Sequence, residues 1–109
     1  MDDHIRRCAV VRVIDGDTVV LDVDLGFHIW ARGLKFRLAR LNAPEMTTPA
    51  GKLSFEWLRG CDVQWVNSVK LDKWGRWLAE LYSSGRVNVN DQMVKEGFAS
   101  PVSYGEESK

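Results

Sequence analysis

Two valine-rich runs, residues 8–14 and 17–23, are separated only by Asp15 and Gly16. β-Branched side chains suit a pleated surface, and so short a polar link leaves room only for a tight reversal. An antiparallel hairpin is therefore predicted, with Gly16 accepting the positive φ of the turn. Residues 24–33 interrupt the pattern with Gly26 and Gly33, and alternation resumes over 34–41. This third predicted strand sets Arg37, Ala39 and Leu41 on one face and Phe36, Leu38 and Arg40 on the other. Pro44 cannot donate a ladder hydrogen bond and pushes Ala43 out of helical geometry, so the strand ends by Asn42 and Glu45 begins a loop.

Thr48-Pro49 reads as an N-cap with a first-turn proline, Leu53, Trp57 and Leu58 recur at helical spacing, and Gly60 suits the stop. A helix of about eleven residues follows from these signals. Residues 61–69 form a fourth predicted strand, 72–75 a polar turn, and 76–82 a fifth, with Arg76, Leu78, Glu80 and Tyr82 on one face. Asn88 or Asn90 can cap a second helix carrying Val89, Met93 and Val94, with Gly97 as its end. Three strands, a helix, two strands and a helix is the order of a mainly β, five-stranded Greek-key barrel of the OB type.

At 109 residues, 45% of them hydrophobic and five of them tryptophan, the chain suits one domain over 1–109 with its core at about 8–102. No apolar run approaches the roughly 20 residues needed to cross a bilayer. The start Met1-Asp2-Asp3-His4 lacks the pattern of an export signal, so a soluble, cytoplasmic monomer is expected. Cys8 and Cys61 lack metal-site spacing and read as free core thiols. Net charge is zero, but residues 32–76 hold nine Lys or Arg against four Asp or Glu. The basic surplus thus lies among the residues best suited to chemistry, although solvated strand faces would produce the same count.

Asp17, beside the hairpin turn, can project from a barrel rim. Asn42 ends the third strand, and the Ala43 carbonyl is left without regular pairing. A carboxylate, an amide oxygen and a backbone carbonyl form a hard donor set that suits Ca2+. Asp15, Asp17, Asp22 and Asp24 are out of register for an EF-hand loop. Arg37 and Arg76 offer forked, permanently charged donors that match phosphate oxygens. Taken singly, the acids could be turn formers, Asn42 a strand-ending cap, Glu45 a solvated loop acid and each arginine half of a surface ion pair. Phe55, Trp57 and Trp65 fall at core positions, whereas Trp30, Trp74 and Tyr104 fall in turns or tail and could stack on bases.

Read together, residues 13–19 (Val-Ile-Asp-Gly-Asp-Thr-Val), Phe36-Arg37-Leu38 through Asn42-Ala43-Pro44-Glu45, and Asp72-Lys73-Trp74-Gly75-Arg76 resemble the staphylococcal nuclease (thermonuclease) family. The resemblance implies an OB-fold, Ca2+ and hydrolysis of DNA or RNA, preferably single-stranded. It implies that Asp17, Asn42 and the Ala43 carbonyl hold the metal, Arg37 and Arg76 the phosphate, and Glu45 the attacking water. Lys73, Trp74 and Tyr104 would contact substrate. Where the best-known members place a second calcium aspartate this chain has Asn42, which keeps the oxygen donor but removes a charge. The rival is an OB module that binds nucleic acid or protein without turnover.

Overall fold

A computed structural model describes residues 5–102, apart from the Val69 side chain. Strands β1 (Ile5–Asp15), β2 (Thr18–Gly26) and β3 (Ile29–Leu38) form a meander. A short β4 (Leu41–Asn42) leads into helix α1 (Pro49–Arg59), and β5 (Val63–Leu71), β6 (Trp77–Ser83), α2 (Val89–Lys95) and β7 (Ser100–Pro101) follow. The main strands close in the order β1-β2-β3-β6-β5, while β4 and β7 form a separate two-stranded ribbon. Of the barrel pairings only β3 with β6 is parallel. This is the mainly β barrel with two helices expected of an OB-fold.

Alternation along the strands fills the interior. Val19, Leu21 and Val23 point inward from β2, Phe36 and Leu38 from β3, Val66 from β5, and Ala79 and Leu81 from β6. Leu58 of α1 and Met93 of α2 complete the packing. Truncating one of these leucines to alanine would cost about 2–5 kcal/mol. Asn90 is 1% exposed and ties β6 to the exit of β3: its Oδ1 accepts from Leu81 N, and its Nδ2 donates to Ala39 O and Ala79 O. The cap of α2 is Asn88, which accepts from Asp91 N at 2.9 Å.

Several local expectations change. β3 starts at Ile29, not Leu34, because Gly33 at φ 69° absorbs an irregularity in the β2–β3 ladder. There the Asp22 carboxylate accepts from Gly33 N at 2.8 Å and from Arg32 Nη1 at 2.9 Å. Trp30 consequently lies on a strand, not in a turn. Arg40 lies beyond the end of β3 with φ 67°, and its guanidinium joins Glu80 and Asp91, each at 2.7 Å. In α1, Leu53 is 63% exposed, and the buried face is Gly51, Ser54 and Leu58. Small residues face inward because the helix runs close to the β1–β2 turn. Cys8 and Cys61 are free thiols as expected, and burial pushes Cys8 up to about 12.

Candidate active site

The β1–β2 turn is Gly16-Asp17, and its tightness comes from packing. Gly16 is absent from the positive-φ glycines, contrary to the expected role of that residue. A Cβ there would lie 2.8 Å from Ala43 Cβ and 2.9 Å from Ser54 Cβ, so only glycine lets the turn seat between the β4 exit and α1. Gly51 serves the same approach: a Cβ would fall 1.9 Å from the Glu45 carbonyl oxygen. The Glu45 carbonyl also accepts from Thr48 N at 3.0 Å and Thr48 Oγ1 at 2.7 Å. The chain after Asn42 is thereby pinned to the start of α1.

Asp17 is held from several sides. Its backbone N donates to Asp15 Oδ1 at 3.0 Å, its Oδ1 accepts from Thr18 Oγ1 at 3.2 Å, and its Oδ2 accepts from Ala43 N at 3.1 Å. Burial pushes the Asp17 carboxyl up, and contact with Asp15 adds to this, against the downward pull of Ala43 N and Arg37. At Asp15 burial also acts upward, but hydrogen bonds from Asp17 and Thr18 and the charge of Arg37 outweigh it and hold that carboxyl low. A cation at this rim would replace the unfavourable environment of ionised Asp17 with a favourable one.

Arg37 is 9% exposed. Its Nη1 donates to Leu38 O at 3.1 Å and Leu41 O at 3.0 Å, its Nη2 donates to Asn42 Oδ1, and Nη2 lies 3.6 Å from Asp17 Oδ2. A guanidinium has five N–H donors, so three hydrogen bonds fix its plane and leave capacity for a further anion. Asn42 is tied to Arg37 and is no idle cap. The Ala43 carbonyl receives no hydrogen bond among the described residues, which leaves it open to a cation.

Glu45 is exposed, and its carboxylate has no hydrogen bond or ion pair among the described residues. Arg76 enters the strand beside β3: Arg37 pairs with Leu78, two residues further along, a step of roughly 7 Å. Its Nε is bound to Asp72 Oδ2 at 2.7 Å and its guanidinium lies 5.1 Å from the Trp74 ring, so it is not joined to the Asp17–Arg37 cluster. Lys73 Nζ lies 4.5 Å from the same ring, and Trp74 is 65% exposed. Tyr104 lies outside the described residues. Asp17, Arg37, Asn42 and Ala43 are thus in contact, while Arg76, Lys73 and Trp74 form a second cluster.

Among the described residues no group of three or more His, Cys, Asp or Glu is placed to hold a metal. The oxygen donors of this rim are the Asp17 carboxylate, which accepts from Ala43 N, the Ala43 carbonyl, which receives no hydrogen bond among the described residues, and the Asn42 amide oxygen, which Arg37 holds. By their chemistry, carboxylate, carbonyl and amide oxygens are donors of the kind that a hard cation such as Ca2+ takes. The roles of Asp15, Ser54 and Asn90 were not anticipated from sequence; only the proximity of Asp15 to Asp17 gave any signal.

A closed OB-fold barrel with a buried arginine and a carboxylate at one rim is the class these features define. The family model described as staphylococcal nuclease homologue matches residues 35–109, and the chain belongs to that family. The match includes Arg37, Asn42, Glu45 and Arg76 and begins after Asp17. Among curated relatives, an uncharacterized endonuclease of Escherichia coli is 32% identical over 94 residues, covering 83% of this chain and 57% of the relative. An uncharacterized endonuclease of Haemophilus influenzae is 33% identical over 99 residues, covering 86% of this chain and 51% of the relative. The chain spans little more than half the length of these relatives.

Proposed function

We propose that this chain is a Ca2+-dependent nuclease that hydrolyses phosphodiester bonds in DNA, RNA or both, with single strands preferred. The observation that carries the reading is Arg37, buried and oriented by the Leu38 and Leu41 carbonyls beside Asp17, in a chain of the staphylococcal nuclease homologue family. A surface ion pair needs no such fixation. Phosphoryl transfer does, because fixed donors stabilise charge that develops on the phosphate oxygens.

In this reading Asp17, the Ala43 carbonyl and Asn42 would hold Ca2+. The bound ion would supply Lewis-acid polarisation and a template for the phosphate. Arg37 binds a nonbridging phosphate oxygen with its remaining donors. Glu45 orients the water and takes its proton as the water oxygen bonds to phosphorus and the opposite P–O bond breaks. Arg76, released from Asp72, stabilises the leaving oxygen, which takes a proton from solvent. Trp74, flanked by Lys73 and Arg76, offers an exposed ring to a base of a single strand.

Digestion of heat-denatured DNA, with Ca2+ or with chelator, tests this in the parent, Asp17→Ala and Arg37→Ala. Cleavage confined to the parent with Ca2+ is expected, and equal turnover in every sample would sink the metal–arginine mechanism. Oligonucleotide binding without turnover would support the noncatalytic rival. Asn42→Asp adds a charge at the metal edge and should tighten Ca2+ binding by calorimetry; unchanged affinity would remove Asn42 from the ligand set.

A further inference from the structure

In an extended strand, residues four apart lie roughly 13 Å from one another. The Leu41 carbonyl nevertheless accepts from Arg37 Nη1 at 3.0 Å, so the chain turns back between these two residues. Arg40 makes the turn, with φ 67°, and is one of four non-glycine residues with positive φ among the described residues. A residue with a Cβ is strained in that region, and the conformation persists only where the surroundings over-determine it.

Arg40 is held in that way. Its Nε and Nη2 donate to Glu80 Oε2 and Oε1, each at 2.7 Å, and Nη2 also donates to Asp91 Oδ1 at 2.7 Å. Glu80 is steadied in turn by Asn88, the cap of α2, whose Nδ2 donates to Glu80 Oε1 at 3.0 Å. On the backbone, Arg40 O accepts from Val102 N at 2.8 Å, and the preceding Ala39 N donates to Ala79 O at 2.9 Å. The turn that delivers Leu41 to Arg37 is therefore fastened to β6, α2 and the chain after β7.

Most surface ion pairs contribute little, but a bidentate fork inside a network is the exception. Two carboxylates around one guanidinium also leave this trio with a negative charge, which makes Arg40 a poor contact for phosphate. Its anchorage acts instead on the chain it belongs to.

We propose that Arg40 is a positioning residue for the site: by clamping the turn to β6 and α2, it sets the Leu41 carbonyl against Arg37 and so fixes the Arg37 guanidinium. The consequence for turnover rests on the nuclease reading, whereas the effect on Arg37 does not.

Arg40→Gly separates the clamp from the backbone requirement, because it permits the positive φ without strain and removes the side chain that anchors the turn. Parent and variant, labelled with isotope-enriched arginine, are compared by NMR, the Arg37 signals being assigned by their loss in Arg37→Ala. Separate Nη proton signals are expected for Arg37 in the parent, and averaged signals in Arg40→Gly with the backbone spectrum of the barrel retained. On denatured DNA with Ca2+, Arg40→Gly should lose about tenfold in kcat at nearly unchanged KM, within the ~100-fold that a misplacement of about 1 Å can cost. Arg40→Lys keeps the charge without the fork and should fall between the two; it carries the same test if Arg40→Gly does not fold. Unaltered Arg37 signals in a folded variant would overturn the inference. So would a raised KM with kcat unchanged, which would make Arg40 a substrate contact. A parent that shows the expected NMR difference but cleaves no DNA would uphold the placement of Arg37 by Arg40 and sink the nuclease reading alone.

Discussion

The two turns that bracket β2 are built on opposite principles. At one end Gly16-Asp17 is pressed between Ala43 and Ser54, and every polar group of the turn side chain has a partner. At the other, Phe27-His28 holds strained backbone angles with its ring in solvent. A glycine stands where crowding forbids a Cβ, and none stands where φ would favour one. The first turn is shaped by its contacts within the chain, while the second presents a side chain with no partner there.

Substitutions of opposite sense at the two turns sharpen this contrast. Gly16→Ala should cost about 1–3 kcal/mol, because Ala43 and Ser54 must move to admit a methyl group. Thermal denaturation reads this as a loss of several degrees. A variant as stable as the parent would show that the seat is loose. Replacing Phe27-His28 with Asn-Gly should raise stability by about 1–2 kcal/mol in dilute solution, by relieving two strained residues. A loss on urea denaturation would mean that Phe27 has monomer contacts the exposure does not reveal.

A smaller effect belongs to the second basic cluster. Burial acts upward on the Asp72 carboxyl, but the N–H groups of Arg76 and Trp74 and the Arg76 guanidinium outweigh it and hold the group below its ordinary 3.8. A carboxyl depressed in the folded state stabilises the fold above its unfolded value and loses that contribution as pH falls through the folded one. The parent should therefore exceed Asp72→Asn in stability near neutrality, with the difference shrinking below about pH 4, as the ordinary carboxylate range requires. Parallel pH profiles of the two proteins would contradict this.

Legibility followed the range of the interactions. The hairpin, the cap at Thr48 and the order of the main strands and helices rest on local chemistry, and they stood out in the sequence. Residues whose reasons lie across the fold did not. Asn90 bridges segments 51 residues apart, the αL turn at Arg40 ends β3 early, and the Gly33 irregularity is accommodated by Asp22 on the neighbouring strand. In the site, motif spacing marked Asp17, Arg37 and Asn42, but not that Asn42 is bound to Arg37, since that depends on the chain's path after Leu38. Arg76 was grouped with Arg37 by its chemistry, while the folded chain pairs it with Asp72.

Cleavage at one end of β2 and not at the other is the central claim, and it is read most directly from one turnover assay. Parent, Arg37→Ala and Phe27→Ser, each verified as folded by circular dichroism, are compared on denatured DNA with saturating Ca2+. Arg37→Ala should lose at least about 100-fold in kcat, the scale of removing a fixed charge-stabilising donor, and Phe27→Ser should match the parent. Equal turnover by folded Arg37→Ala and parent would contradict the account.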